Sequence, residues 1–318
     1  MLGAFLTTIL WSFSAIFARR STRVFGPSFA NFSRLVLACL FLGLYTHLFA
    51  PALEWQSFQI LFWSGLIGLG LGDLALFVAL PRLGSRLSLL MVQCLAAPIA
   101  ALIEWAWLGT TLTGLQIVSG AIILVGIAIA FRPSGEVKPD TLGIAMGLLA
   151  AIGQGAGAII SRRAYDTMEL SGISVDGGSA AHQRMLGGVV ISGIYFLLES
   201  WYKKQKETNQ AKAKARTISG TNAYPTGYAD TKPIKKTVRD YMYILGNTLC
   251  GPVIGVACYQ WALSEQPGGV VLPIVATTPL VAIPFTRWLE KDSAGLQAWG
   301  GGIISVLGVA GLVWSTPA

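Results

Sequence analysis

Three ionisable side chains, Arg34, Asp73 and Glu104, stand inside long apolar stretches, and Arg184 stands at the start of another. A charge buried in that way costs roughly 2.5 to 3.5 kcal/mol on membrane-insertion scales and persists where it is paired or used. Arg34 and Asp73 each lie about seven residues from the same side of their stretches, roughly 10 Å deep on a helix, so an ion pair between them is feasible. Such a pair is either a fixed structural contact or a working one. In the second case Arg34 receives a carboxylate and Asp73 takes a proton or an amine. Glu104 lies about one turn from the end of its stretch, beside Trp105 and Trp107. It reads as an interfacial carboxylate that reaches water or as a proton carrier, with Arg184 a candidate partner. Gln93, Gln154, Thr277 and Thr278 are polar residues on otherwise apolar segments, and Trp11 offers an aromatic wall near mid-depth. For each, hydrogen bonding or packing between helices competes with contact to a small molecule. The four cysteines show no C-x-x-C spacing and the two histidines do not cluster, so neither a metal nor a cofactor is expected. The runs GLIGLGLGD and GQGAGA lack the lysine and preceding strand of a phosphate loop, and read as places where helices approach closely.

The elements that must hold these groups follow from composition. Of 318 residues, 53% are hydrophobic and 12% charged, where a soluble domain carries about 25% charged residues. Crossing a bilayer takes about 20 mostly apolar helical residues. Ten stretches qualify, near 2–18, 27–49, 57–80, 87–107, 113–131, 141–161, 185–202, 241–263, 268–287 and 294–315. They read as helices because a backbone in lipid must satisfy its own hydrogen bonds, and none alternates like a barrel strand. The first lacks the basic region and cleavage site of a secretory signal and is read as a span. The basic segment 203–240 has too few apolar residues to build a core and is expected to be disordered.

The stretches repeat. WLGTTLTGLQ at 107–116 returns as WLEKDSAGLQ at 288–297, and at the same offset of 181 Pro98 meets Pro279. At an offset of 183, Gly68, Ala79 and Leu80 fall on Gly251, Ala262 and Leu263. At other offsets the second stretch pairs with the seventh through Arg34 and Arg184, and Ala15-Ile16-x-x-Arg19-Arg20 of the first matches Ala158-Ile159-x-x-Arg162-Arg163 of the sixth. Each half has five stretches, an odd number, so the second copy must enter the membrane from the opposite side. The expected fold is an all-α polytopic membrane protein of ten transmembrane helices, as two inverted five-helix repeats over 1–132 and 141–318. Arg34 and Arg184 are equivalent, yet no acid stands at the position matching Asp73.

The run from Ala79 to Phe131 also resembles the EamA-like branch of the drug/metabolite transporter superfamily. The shared features are an arginine early in the second helix, a proline in the fourth, a Leu-Gly turn and a glycine-rich fifth helix. Arg34, Pro98, Leu108, Gly109, Gly120 and Gly126 fit in the first half, and Arg184, Pro279, Leu289, Gly302 and Gly308 in the second. The likeness covers nearly the whole chain outside 203–236. It implies a ten-helix carrier with a central cavity lined by the first, third, fourth, sixth, eighth and ninth helices, and exporters of amino acids and other small metabolites among its members. The turn departs from the pattern: Thr110 replaces the usual glutamate, and Glu290 replaces the glycine of the second copy.

The expectation is therefore a secondary transporter, or permease, for small polar or zwitterionic metabolites such as amino acids. It is expected to act as an exporter, with proton coupling through Asp73 or Glu104. The rivals are a polytopic membrane enzyme acting on lipid-linked groups, for which the chain offers no clustered acids or histidines, and a membrane receptor or assembly factor. The expected partners are a small-molecule substrate, protons and the lipid bilayer of the inner or plasma membrane. The cations fall in short runs between apolar stretches, which gives no face for nucleic acid. Three of the 23 cations lie on the side of both termini and the rest on the other, so the basic segment is expected in the cytoplasm and the termini outside. The family likeness implies the opposite placement of the termini.

Overall fold

A computed structural model describes residues 1–50, 55–130, 141–218, 236–290 and 296–315. Those residues are helical almost throughout, with no strand among them. The first half comprises α1 (Leu2–Phe25), α2 (Pro27–Phe49), α3 (Trp55–Gly65), a π-helical segment (Leu66–Gly72), α4 (Asp73–Leu108) and α5 (Gly114–Ala130). The second comprises α6 (Thr141–Leu170), α7 (Gly177–Ile218), α8 (Val238–Thr248), a second π-helical segment (Leu249–Val253), α9 (Ile254–Glu265), α10 (Gly268–Ala276), α11 (Thr278–Glu290) and α12 (Leu296–Ser315).

Among the described residues, seven helical stretches are long and apolar enough to cross a membrane: Leu2–Thr22, Pro27–Phe49, Trp55–Leu76, Met91–Leu108, Thr141–Leu170, Gly177–Lys206 and Val238–Glu265. Gly114–Ala130, Gly268–Ala282 and Trp299–Ser315 are apolar but shorter. Many large apolar side chains point outward, including Leu40, Leu44, Leu197, Ile303 and Val306, and Trp314 is 89% exposed at the end of α12. A surface of that kind is solvated by lipid chains.

One boundary differs from expectation. The segment 203–240 was expected to be disordered from its start, but α7 continues through it to Ile218. Its lysines, glutamines, glutamate and alanines are good helix formers, and Lys203 bonds Glu199 one turn back at 2.7 Å. Residues 219–235 lie outside the described residues. At Lys236 the ammonium sits 5.0 Å from the Phe25 ring centroid and 5.9 Å from that of Phe29. Thr237 and Asp240 then form the capping box that starts α8.

Helical bonding is continuous through α4, yet its path folds back. Along α6, Ser64 meets Ser161, Gly72 meets Gly153, and Leu83 meets Gly147; then Met91 meets Gly147, Ala96 meets Gly155, and Glu104 meets Arg162. The partner number falls and then rises, so the chain before Leu83 and the chain after Met91 run in opposite senses. At the far end of α4 the reversal into α5 is sharper. Gly109 takes a left-handed φ of 71°, which a side chain resists. Thr113 and Gln116 bond reciprocally, at 2.9 and 3.3 Å, to start the next helix.

Contacts between the halves come in exchanging pairs. α1 packs on α8 and α9 while α6 packs on α3 and its π segment; α1 packs on α10 and α11 while α6 packs on α4. α2 with α7, α5 with α12, and α4 with α10 each pair across the halves.

Between α6 and α7, Asp176 caps the latter. Its carboxylate accepts bonds from the Gly178 amide at 2.8 Å, the Ser179 amide at 3.0 Å, the Ser179 hydroxyl at 2.6 Å and the Tyr45 hydroxyl at 3.2 Å. Partial burial works against the charged form, but these donors outweigh it and hold the pKa below the ordinary aspartate value. The cap's stabilisation is thus complete above the ordinary range and fades as pH falls through and below it. Asp176→Ala should cost about 1 kcal/mol at neutral pH and much less at about pH 3, as read from thermal unfolding in detergent at the two pH values.

Candidate functional site

The π-helical segment Leu66–Gly72 ends on Asp73. A wide turn leaves carbonyl groups poorly paired by their own helix, and here the Gln154 side-chain amide donates to the Gly68 carbonyl at 3.3 Å. α6 can come this close because Gly68 and Gly72 lie directly against Gly157 and Gly153. The same Gln154 nitrogen donates to Asp73 Oδ1 at 2.9 Å. The other carboxylate oxygen accepts from Arg34 Nη2 at 3.4 Å, and Arg34 Nε donates to Asn31 Oδ1 at 2.9 Å. Asn31 in turn donates to the Ser192 hydroxyl on α7 at 3.4 Å. α2, α4, α6 and α7 thus meet on one polar chain in an apolar bundle.

Arg184 reaches the same π segment from α7. Its Nη2 stands 3.2 Å from where a Cβ on Gly68 would sit, and its guanidinium lies 6.0 Å from the Tyr259 ring centroid. Trp11 packs on Tyr259 with ring centroids 5.3 Å apart.

Glu104 belongs to a separate arrangement. It is 2% exposed, so the expected interfacial, water-reaching carboxylate is corrected to a buried one. Arg162, and not Arg184, is its ion partner, at 4.0 Å. Glu104 Oε2 accepts the Gly269 backbone N–H at the start of α10 at 3.2 Å. Arg162 donates to the Leu263 and Ser264 carbonyls at the end of α9, both at 2.9 Å. An acid on free amides and a base on free carbonyls match the two helix dipoles, so the pair clamps the α9–α10 turn. Glu104→Ala should lower stability by about 1 to 2 kcal/mol by leaving the buried Gly269 amide without its acceptor, while Arg162 keeps Asp166 at 3.6 Å, with a smaller loss for Glu104→Gln. Equal thermal unfolding of all three proteins would show that the clamp contributes nothing.

Thr277 and Thr278 mark the break between α10 and α11. Pro279 has no N–H to offer the Val275 carbonyl, and the Thr278 hydroxyl donates to that oxygen at 2.6 Å, while Thr277 donates to Ile274 at 2.6 Å. Their hydroxyls are therefore occupied by backbone. α1 reaches the same region through Ser12, which donates to the Thr278 carbonyl at 2.9 Å. α4 runs on as helix through Pro98, and Gln93 is half-buried there, outside these bonds. Two shallow depressions lie at the end of α6, by Asp166 and Leu170, and along α7, by Trp201 and Lys204, away from the polar chain.

The structure therefore joins Arg34, Asp73 and Gln154, sets Arg184 and Trp11 beside them, and separates Glu104, Gln93, Thr277 and Thr278. Asn31, Tyr259 and Arg162 were not anticipated. Asn31 precedes Arg34 by three residues, on the same helix face, and that spacing was legible. Tyr259 gave no such signal.

A family model described as "EamA-like transporter family" matches residues 1–132 and again 141–314. No curated protein matches the chain. Among 28 matching chains of solved structures, one titled "Crystal structure of protein" superposes with a TM-score of 0.67 at 15% identity, covering 98% of this chain and 94% of that one. At that identity the likeness speaks for the fold alone.

Proposed function

The chain belongs to the EamA-like transporter family, and on that premise we propose that it is a ten-span secondary carrier, built as two inverted repeats, that exports small polar or zwitterionic metabolites such as amino acids. Membership of the family makes it a membrane transporter. The seven long apolar stretches and three shorter ones support a count of ten. The exchanging contacts between the halves support the inverted repeat, as do wide turns that start at Leu66 and Leu249, positions 183 apart. Inverted repeats allow a site near mid-membrane to open to either side with similar energy.

The observation that carries the substrate reading is the polar chain from Ser192 through Asn31, Arg34 and Asp73 to Gln154, held between four helices. It holds Asp73 as an anion with the guanidinium of Arg184 close by as a cation, as a zwitterion requires, and Asp73 is the group through which a proton would be coupled. Outward direction follows the exporters among the family's members. The excess of Lys and Arg on the side of the basic segment supports a cytoplasmic placement of that segment and termini outside, in the inner or plasma membrane. A reporter active only outside the cytoplasm, fused after Ala318, is expected to be active, and silence would reverse this orientation.

Purified full-length protein in liposomes loaded with unlabelled L-amino acids should accumulate a labelled amino-acid mixture by exchange, and an inward proton gradient should change the rate. Vesicles that exchange no more than protein-free ones would defeat the amino-acid reading. An unchanged rate under the gradient would remove the coupling.

A further inference from the structure

Arg34 and Arg184 occupy equivalent places in the two halves, each seven residues into its helix, after Pro27 and Gly177 respectively. Their surroundings are not equivalent. Arg34 has Asp73 for its charge and Asn31 for its Nε. Val256, buried at 4% exposure, stands where the second half would need the matching acid. Arg184 is itself only 3% exposed, and its Nε has no hydrogen-bond partner. Among the described residues, no carboxylate lies within ion-pair distance of it. The Tyr259 ring is a weak partner at 6.0 Å, and a cation on an aromatic face recovers only part of what burying a charge costs. The cluster of Arg34, Asp73 and Arg184 therefore carries one uncompensated positive charge in a low-dielectric place.

We infer that Arg184 is the receiving group for the carboxylate of the transported solute, while Arg34 serves as a fixed positioning residue that holds Asp73. This rests on the carrier reading above. The planar guanidinium fork matches a carboxylate with two parallel bonds. A single carboxylate gives Arg184 the counter-charge it lacks, whereas a dianion such as phosphate overshoots it. The fork lies beside Gly68, where the absence of a side chain lets Nη2 and the α6 backbone at Gly153 and Gly157 come close together. The carbonyl of the same glycine is tied through Gln154 to Asp73, so a carboxylate on Arg184 brings an amino group on the adjacent carbon toward the acid. The recognised class is the small monocarboxylate, amino acids included.

The test uses the full-length protein in liposomes with a labelled mixture of the twenty L-amino acids. The competitors are the unlabelled amino-acid amides, which keep the amine and side chain but lack the charged carboxylate. Native protein is expected to resist competition by the amides at least ~10-fold better than by the unlabelled acids, the scale of a charge-assisted hydrogen bond. Arg184→Gln should lose exchange by a similar factor, with Arg184→Lys between the two. Amides that compete as well as the acids, or Arg184→Gln at the native rate, would overturn the assignment and leave the carrier reading standing. Exchange of labelled amides with none of the acids would do the same. No exchange of either set defeats this assignment and the amino-acid reading together. Should Arg184→Gln fail to fold, as a broadened gel-filtration peak would show, the acid-against-amide comparison on native protein still decides.

Discussion

Asp73→Asn is expected to reduce amino-acid exchange by about two orders of magnitude, the largest functional effect of any single substitution proposed for this chain. The amide can still accept from Gln154, so the local shape survives. The charge opposite Arg34 does not, and a buried pair broken on one side loses about 3 kcal/mol or more, equivalent to roughly 100-fold in an equilibrium. The double variant Arg34→Gln with Asp73→Asn separates the two meanings of that loss. Removing both charges relieves the stranded cation, so thermal unfolding should return toward the native temperature. If exchange returns with it, the pair is structural only. If stability returns and exchange does not, the carboxylate of Asp73 takes part in transport.

Gly65→Ala is expected to produce a loss of stability on the same scale. A Cβ there would lie 1.9 Å from the Arg184 backbone oxygen, and a Cβ on Gly187 would lie 2.2 Å from the Phe62 oxygen, so α3 and α7 touch backbone to backbone in both directions. Backbone cannot step aside as a side-chain tip can. The helices must separate, at a cost of about 3 kcal/mol, and Arg184 moves with them. Gly300→Ala is the control, because nothing lies within 4 Å of its added carbon. The expected result is a clear drop in unfolding temperature and folded yield for Gly65→Ala and little change for Gly300→Ala. Equal unfolding of the two would show that the α3–α7 contact tolerates a wider spacing.

The parts of this arrangement that were legible in the sequence are those set by one-dimensional rules. Depth along a helix is a count of residues, so Arg34 and Asp73 could be matched before any coordinates. The repeat register placed Arg184 opposite Arg34 and showed that its acid was missing. Lateral neighbours are another matter. Glu104 was assigned to the interface because depth says nothing about which helix covers it, and Arg162 was counted only as a cation near a span end. Gln154, Thr277 and Thr278 were equal candidates by type; the bundle gave Gln154 a carboxylate and gave the threonines their own backbone. The run GLIGLGLGD reads as close helix packing whether its turn is narrow or wide, so the π segment was not foreseen. The helical stretch after Lys203 was missed because lack of a core was equated with lack of structure, although good helix formers joined to an existing helix need no new nucleus.

The wide turn ahead of Asp73 sets an angular phase for everything beyond it. An α-helix advances about 100° per residue, so accommodating one surplus residue in a single turn rotates the downstream helix by that amount relative to an uninterrupted one. Were the same residues wound at the ordinary pitch throughout, the carboxylate would swing about a quarter of a circumference away from α2, whereas removing the surplus residue together with the wide turn would leave its direction unchanged. Azimuth, as much as depth, is what brings the acid to its arginine.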